Sequence, residues 1–157
     1  MAALIGKHIN KIDRKGRMSV PKPFRDALAD QDFQGVYAFP SFKHAAVEIC
    51  GDAFIQRIIT SLDDLDLFSD DQDDLASTIL GNSHQLPYDT EGRINLPQDL
   101  LSHAGIGAQA LFVGRGTRCQ IWEPAAYDVY NVSAFARARN RGATLSLRAA
   151  NAGEEST

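Results

Sequence analysis

The sequence has few of the residues and patterns that mark disulfide-bonded, metal-binding or catalytic proteins. Its two cysteines, Cys50 and Cys119, form neither a CxxC nor a CxxxH pattern. Two cysteines are too few for a disulfide framework and fit a reducing compartment, and their spacing argues against a structural zinc site. Walker, GxSxG, HExxH and GxGxxG motifs are absent. We therefore expect no enzymatic activity, no cofactor, no metal and no small-molecule substrate.

Long apolar runs are missing as well. No stretch of 18 apolar residues occurs, and the first residues lack the apolar run of a secretory signal. These absences argue against a membrane-spanning helix and against export, so we expect a cytoplasmic protein with no membrane partner. A chain of 157 residues suits one compact domain or two very small ones.

The net charge of −4 is unevenly distributed along the chain. Residues 1–25 hold seven basic side chains and one acidic one, whereas residues 41–82 hold two basic and nine acidic ones. This pattern predicts a basic N-terminal edge that suits a polyanionic partner, and an acidic middle that forms a solvated face. The acidic stretch lacks the EF-hand pattern, so calcium is not expected there.

An internal repeat with an offset of 76 residues organises the chain. The first copy reads HINKIDRKGRMSVP from His8, and the second reads HQLPYDTEGRINLP from His84. The His, Asp, Gly, Arg and Pro positions coincide, and so do the apolar positions of Met18 and Ile94. Each copy predicts a strand, a turn, a strand, a short helix, two further strands and a helix.

The turn in each copy has a physical reason. An aspartate side chain can accept backbone N–H bonds across the turn, and a glycine three residues later supplies a positive φ. Pro21 and Pro97 then open the short helices, and Pro124 opens a final helix that we expect to extend to about Asn140.

A single copy of about 45 residues is too small to bury a convincing core. We therefore expect a pseudo-two-fold arrangement in which each half completes the other. Exposed strand edges, together with Ile5, Phe39 and Val113 as exposed apolar residues, would favour further assembly.

The segments DRKGRMSVPKPFRDAL and YDTEGRINLPQDLLSHAGI resemble the twin motif segments of the MraZ family. The stretch LFVGRGTRCQIWEP is similar to the strand pair in the second half of that family, and the resemblance covers roughly residues 4–140. It implies an α+β fold of two tandem AbrB-like swapped-hairpin β modules in a pseudo-two-fold arrangement, with short helices and a C-terminal helix.

The resemblance also implies a function. Members of the family are DNA-binding transcriptional regulators that assemble into homo-oligomeric rings. They bind short direct repeats of double-stranded DNA in the promoter of the division and cell-wall gene cluster, which includes their own gene, and usually repress it. For this chain the resemblance implies the same role and a nucleoid-associated location.

The expected domain organisation follows from the repeat and the resemblance. Residues 4–60 form a first AbrB-like module that reads DNA, and residues 61–82 form an acidic helical connector. Residues 83–140 form a second AbrB-like module with its C-terminal helix, and residues 141–157 form a tail that is first basic and then disordered.

The family's DNA-contacting motif maps onto Asp13 and Arg17, with Asp89 and Arg93 as its second copy. The second turn has Thr90 and Glu91 where the first has Arg14 and Lys15, so we expect the first half to read DNA and the second to serve mainly for assembly. The expected DNA-binding residues are Lys11, Arg14, Lys15, Arg17, Lys22 and Arg25. The residues expected to shape the motif are Asp13, Gly16, Asp89, Gly92 and Arg93.

Two other functions remain open on the sequence. One is an AbrB-type antitoxin that pairs with a toxin, although the second module and the short tail argue against it. The other is an assembly scaffold whose acidic segment 61–74 docks a basic partner. His8 and His84 recur in register, but without neighbouring ligands they are expected to be hydrogen-bonded strand residues rather than metal ligands.

Overall fold

A computed structural model describes residues 3–149 of the chain. The described residues form two units, one that ends at Tyr127 and one that begins at Asp128. The disordered end expected for the tail falls on residues 150–157, which lie outside the described residues.

The elements of the two copies follow the same order. The first copy contains β1 (Lys7–Lys11), β2 (Arg17–Ser19), α1 (Lys22–Ala27), β3 (Gly35–Pro40), β4 (Val47–Cys50) and α2 (Asp52–Asp63). The segment between the copies contains α3 (Asp70–Leu75) and a π-helical turn (Ala76–Gly81). The second copy contains β5 (His84–Pro87), β6 (Arg93–Asn95), α4 (Gln98–Ala104), β7 (Gln109–Gly114), β8 (Cys119–Trp122) and α5 (Pro124–Arg141). The predicted α+β class and the C-terminal helix are confirmed.

The strands of the two halves pair with each other. Six strands form one sheet in the order β1-β7-β8-β4-β3-β5, and β2 pairs with β6 in a separate two-stranded sheet. All of these pairs are antiparallel, and β1/β7, β3/β5, β4/β8 and β2/β6 each join one half to the other. Neither half contains both strands of these four pairs, so neither could form them alone.

The helix boundaries follow local chemistry. Pro21 and Pro97 occupy the N-cap positions of α1 and α4, one residue before each helix begins. Gly105 ends α4 in the left-handed conformation with a φ of 62°, which glycine adopts without steric cost. The Ser69 hydroxyl accepts a hydrogen bond from the Gln72 N–H and caps α3.

The aspartate run between the copies is itself partly helical. Three aspartates lie in the first turn of α3, where negative charge is favourable at the N-terminus of a helix. In the structure, Asp63 ends α2 and the later aspartates build α3.

The core lies where the halves meet. Met18 of β2 is directly opposite Ile94 of β6, and both side chains are buried together with Phe24, Leu100 and Phe112. The cysteines are also buried as free thiols, and burial raises the pKa of the Cys50 thiol to about 12.

One expectation about exposed apolar residues was wrong. Phe39 and Val113 are buried, because both lie inside the six-stranded sheet, whereas Ile5 is exposed as expected. No helix within residues 3–149 combines the length and apolar character needed to cross a membrane.

Truncation of Ile94 should destabilise the junction of the two halves. Ile94 is 1% exposed, so Ile94→Ala should lower the free energy of unfolding by about 2–5 kcal/mol through lost burial and a cavity. The matched control is Ile9→Ala, because Ile9 lies on β1 and is 55% exposed. Urea denaturation of both variants measures the difference, and similar losses for the two would contradict this account of the core.

Candidate nucleic-acid interface

The first repeated turn is organised by the carboxylate of Asp13. Its Oδ1 accepts hydrogen bonds from the backbone N–H groups of Lys15 and Arg17, each at 2.9 Å. Its Oδ2 accepts one from the Arg17 Nε at 2.6 Å. The Gly16 N–H donates to the Asp13 carbonyl at 3.1 Å and closes the turn. The Asp13 side chain therefore fixes both the backbone of the turn and the Nε end of the Arg17 guanidinium.

The second turn repeats this geometry around Asp89. Its Oδ1 accepts from the backbone N–H groups of Glu91 and Arg93 at 2.9 Å, and its Oδ2 accepts from the Arg93 Nε at 2.8 Å. In both turns the backbone N–H of the motif arginine is the main cause that lowers the pKa of the aspartate below its usual value of 3.8. Both carboxylates are therefore ionised near neutral pH.

The glycines of the two turns are required by backbone conformation and by crowding. Gly16 and Gly92 have φ values of 82° and 74°. A Cβ at Gly16 would lie 3.1 Å from the Leu96 carbonyl oxygen, and one at Gly92 would lie 2.7 Å from the Arg25 Cζ. Any other residue at either position would be strained.

Each turn is hydrogen-bonded to the residue that directly follows the second strand of the other half. The Val20 N–H donates to the Gly92 carbonyl at 3.1 Å, and the Leu96 N–H donates to the Gly16 carbonyl at 3.0 Å. Together with the β2/β6 ladder, these bonds hold the two turns in a fixed mutual arrangement. The two candidate recognition turns therefore belong to one structural element.

The two motif arginines, Arg17 and Arg93, differ in how many of their guanidinium nitrogens are already bonded. The Arg17 side chain bonds through Nε alone, and its Nη1 and Nη2 have no partner among residues 3–149. The Arg93 side chain also bonds through Nη2, which lies 2.7 Å from the Glu91 Oε2. Arg17 can therefore offer a two-pronged guanidinium to an anion or a base edge, whereas Glu91 occupies that side of Arg93.

The structure separates the six predicted DNA-binding residues into two groups. Lys11, Arg14 and Lys15 are exposed and, with Arg17, lie at the end of β1 or in the first turn. Within the described part of the chain, the side chains of these first three residues have no hydrogen bond or ion pair. This cluster of four cations is called the first-turn cluster below.

The other two predicted residues are engaged within the protein. The Lys22 Nζ lies 2.9 Å from the Asp26 Oδ2 on α1. The Arg25 Nε donates to the Val20 carbonyl at 3.0 Å, and its guanidinium packs beside Gly92. Arg25 thus helps to join the two halves, a role that its position in the sequence did not reveal.

Sequence reasoning also missed a buried polar network below the β7–β8 turn. Glu48 accepts hydrogen bonds from the Arg118 Nε at 3.0 Å and from the Gln120 Nε2 at 2.7 Å. Gln120 in turn accepts from the Arg115 Nη2 at 3.0 Å and from the Trp122 indole at 2.9 Å. Arg115 and Arg118, the two arginines of the β7–β8 turn, therefore each bond inside the protein through at least one nitrogen.

The histidines of the repeat have structural partners. The His84 Nε2 lies 3.0 Å from the Asp99 Oδ2, and this contact lowers the pKa of Asp99. The His8 ring meets Phe24 edge to face, with centroids 5.1 Å apart. Within residues 3–149, no group of three or more His, Cys, Asp or Glu side chains could hold a metal ion.

Comparison with known proteins identifies the family. The family model described as "MraZ protein, putative antitoxin-like" matches residues 79–147. "Transcriptional regulator MraZ" of Rickettsia canadensis (strain McKiel) is 39% identical over 151 residues, which cover 96% of this chain and 100% of the relative. The chain belongs to the MraZ family.

Two further MraZ relatives match over similar lengths. "Transcriptional regulator MraZ" of Parvibaculum lavamentivorans is 45% identical over 138 residues, covering 87% of this chain and 86% of the relative. "Transcriptional regulator MraZ" of Pelagibacter ubique (strain HTCC1062) is 43% identical over 136 residues, covering 87% and 88%. The predicted resemblance to the MraZ family is therefore confirmed over most of the chain.

Acid should weaken the fold through the two turn aspartates. Their pKa values are lower in the folded chain than the ordinary 3.8, so ionisation stabilises the native state at neutral pH. That contribution is lost as the pH falls through the folded pKa values, so the free energy of unfolding should fall below about pH 5. Urea denaturation at several pH values measures it.

The double variant Asp13→Asn/Asp89→Asn is the control for this pH dependence. An amide keeps an oxygen for the two backbone N–H groups but cannot ionise. The variant should be less stable than the wild type at pH 7, and the difference should shrink as the pH falls. A constant difference between the two proteins would assign the acid sensitivity to other groups.

Proposed function

We propose that this protein is a DNA-binding transcriptional regulator and not an enzyme, and that the first-turn cluster is its DNA-reading surface. The observation that carries the proposal is the contrast between two turns of the same backbone geometry. The first presents Lys11, Arg14, Lys15 and the free end of Arg17, whereas the second has Arg93 held by two carboxylates. The MraZ relatives are named transcriptional regulators, which supports the same conclusion.

The first-turn cluster has the chemistry that duplex DNA requires. Phosphate contacts give affinity and position, and lysine or arginine side chains supply them by releasing condensed counterions. A guanidinium with a free pair of nitrogens can bridge the O6 and N7 of guanine in the major groove. The Nη1 and Nη2 of Arg17 are free among the described residues, and its Nε is held by Asp13. Little side-chain freedom would therefore be lost when Arg17 binds DNA.

The same proposal includes the finer architecture. The exchange of strands between the halves supports two tandem AbrB-like swapped-hairpin modules, at residues 4–60 and 83–140, separated by the acidic connector at residues 61–82. A single chain offers one reading turn. A homo-oligomeric ring would present several at a fixed spacing, and short direct repeats in DNA would then raise the affinity through effective concentration.

The proposed target is the promoter of the division and cell-wall gene cluster, including the protein's own gene, with repression as the outcome. The protein would act in the cytoplasm at the nucleoid. An antitoxin remains the second candidate, because the family description is antitoxin-like. Purification with a second protein at a fixed stoichiometry would favour that candidate.

Arg17→Ala should weaken DNA binding far more than Arg93→Ala. Each substitution removes an arginine that bonds the equivalent aspartate through Nε, and Arg93→Ala also removes the ion pair with Glu91. Arg93→Ala therefore loses more intramolecular contacts, so a larger loss of DNA binding by Arg17→Ala would not come from damage to the turn. Arg17→Ala should cost about 1–3 kcal/mol per site, and Arg93→Ala much less. A salt titration of binding to the protein's own upstream region, by fluorescence anisotropy, measures both affinity and salt slope.

The outcome of that comparison decides between the readings. A selective loss with Arg17→Ala supports the first turn as the reading surface. Equal losses for the two variants would mean that both turns contact DNA. An absence of binding by the wild type at low salt would overturn the proposal.

Glu91→Gln should release Arg93 and strengthen DNA binding. The substitution removes the carboxylate that holds the Arg93 Nη2, so a second guanidinium becomes available to a phosphate. We expect tighter binding and a salt slope steeper by about one unit in the same titration. In the double variant Glu91→Gln/Arg93→Ala the gain should vanish. A gain that persists there would reflect the lost negative charge alone.

A further inference from the structure

The basic side chains of this protein are concentrated in two segments. Residues 1–25 hold seven of them, and residues 137–148 hold four, all of them arginine. Residues 26–136, which lie between these segments, hold five basic and seventeen acidic side chains. Such an acidic stretch repels a polyanion, so any attraction to one must come from the two basic segments. The proposed function uses the first segment and gives the second no role.

The second segment, residues 137–148, is called the C-terminal arginine stretch below. Its four arginines are exposed, and among residues 3–149 none of their side chains has a hydrogen bond or an ion pair. The Arg137 guanidinium lies over the Tyr130 ring, 5.7 Å from the ring centroid, which leaves its nitrogens open to another partner. Residues 129–149 contain no acidic side chain, so the charge of the stretch is not compensated from within.

The stability of α5 explains only part of this charge. Arg139 and Arg141 lie in the last turn of the helix, where positive charge suits the helix dipole. Gly142 follows with a φ of 64°, and its N–H donates to the Arg139 carbonyl at 3.1 Å. Arg148 lies seven residues beyond the end of α5, where the dipole no longer acts. The run of arginines therefore continues past the point where the helix benefits from it.

One side of α5 is basic without an acidic neighbour. Arg137 and Arg141 are four residues apart, so they share that side. The one acidic residue in the sequence of α5, Asp128, lies nine residues before Arg137, which places it on the opposite side and about 14 Å away along the axis. That separation exceeds the Debye length of about 8 Å at physiological salt, so Asp128 does not neutralise the pair.

We propose that the C-terminal arginine stretch is a second DNA contact, which binds phosphates of the duplex and reads no bases. Its arginines donate to phosphate oxygens and release condensed counterions, so they add affinity and salt dependence but no sequence preference. The inference rests on the proposed function in that DNA is the ligand. Once the first-turn cluster holds a duplex, a second contact on the same chain forms at a high effective concentration.

A salt titration on two duplexes of equal length tests this contact with the full chain. One duplex is the protein's own upstream region, and the other has an unrelated sequence. The stretch variant is Arg137→Gln/Arg141→Gln, and the matched control is Lys43→Gln/Arg57→Gln, whose residues are also exposed. Each pair removes two charges and one cation–π contact, since the Arg57 guanidinium lies 5.6 Å from the centroid of the Phe54 ring. Circular dichroism and sedimentation velocity compare the fold and the assembly size of the variants.

The stretch variant should bind both duplexes more weakly by a similar factor. Its log–log salt slope should be shallower by about two units for each contacting copy of the chain, whereas the control should keep the wild-type slope. Arg137→Lys/Arg141→Lys should restore the slope, because a phosphate contact needs only the charge. An unchanged slope in the stretch variant, a loss confined to the upstream duplex, or a loss that lysine does not restore would each overturn the proposal.

Cross-linking gives a second readout that does not depend on affinity. Both natural cysteines are buried, so a thiol introduced on the surface can be labelled selectively with azidophenacyl bromide. Asn140→Cys places the label between two arginines of α5, and irradiation with the duplex should join protein to DNA. Thr60→Cys, at an exposed position of α2, is the control and should give no such product. Equal yields at the two positions, or none at Asn140, would contradict the contact.

The same titration separates this inference from the proposed function. Weaker binding by Arg17→Ala together with a wild-type slope in the stretch variant would contradict the second contact alone. A shallower slope in the stretch variant without any effect of Arg17→Ala would contradict the first-turn reading surface and support the second contact. If the stretch variant binds DNA normally but no longer binds phosphatidylglycerol vesicles that the wild type binds, the arginines serve a lipid surface and the proposal is overturned.

Discussion

The reciprocal bonds between the two halves are the constraint on which the structure depends. The Val20 N–H donates to the carbonyl of Gly92, and the Leu96 N–H donates to that of Gly16, so each turn is held by the residue that follows a strand of the opposite half. The β2/β6 ladder and the buried pair of Met18 and Ile94 lie between these bonds. Because the turns are fixed by the core itself, movement of either turn would require the opening of buried packing.

This constraint explains why the two turns share a backbone but differ in chemistry. Asp13 and Asp89 use the same three hydrogen bonds to shape their turns, and neither needs the residues between the aspartate and the glycine to be of a particular kind. Those positions are exposed and can vary in charge without cost to the fold. Arg14 and Lys15 at one turn, and Thr90 and Glu91 at the other, show that freedom.

Much of the fold could be predicted from the sequence, because its signals are local. The repeat gave the element order of both copies, and the Asp-x-x-Gly pattern gave turns whose hydrogen bonds depend on residues two to four positions apart. The family and the α+β class followed from the same segments. The burial of Phe39 and Val113 could not be predicted in this way, because it depends on the order of strands in the sheet.

The sequence indicated which segment would contain the candidate site, but not which of the basic side chains would be bonded within the protein. Lys11, Arg14 and Lys15 could be proposed from charge density, and Arg17 from the segment that resembles the MraZ motif. Arg25 looked equivalent in the sequence, yet its guanidinium bonds to Val20 and packs beside Gly92, a residue 67 positions away. Arg118 likewise bonds to Glu48, which is 70 positions away. Such pairings depend on tertiary proximity, which a single sequence does not reveal.

The covalent connection between the halves has a consequence for how this protein can change. In a dimer of two identical short chains, one gene encodes both turns, so every substitution appears twice and the pair stays symmetric. Here the segment between the copies joins them in one chain, and each turn has its own codons. A glutamate could arise beside Arg93 while the turn of Arg17 stayed basic. Duplication within one chain thus allows one turn to specialise while the other keeps the paired scaffold intact.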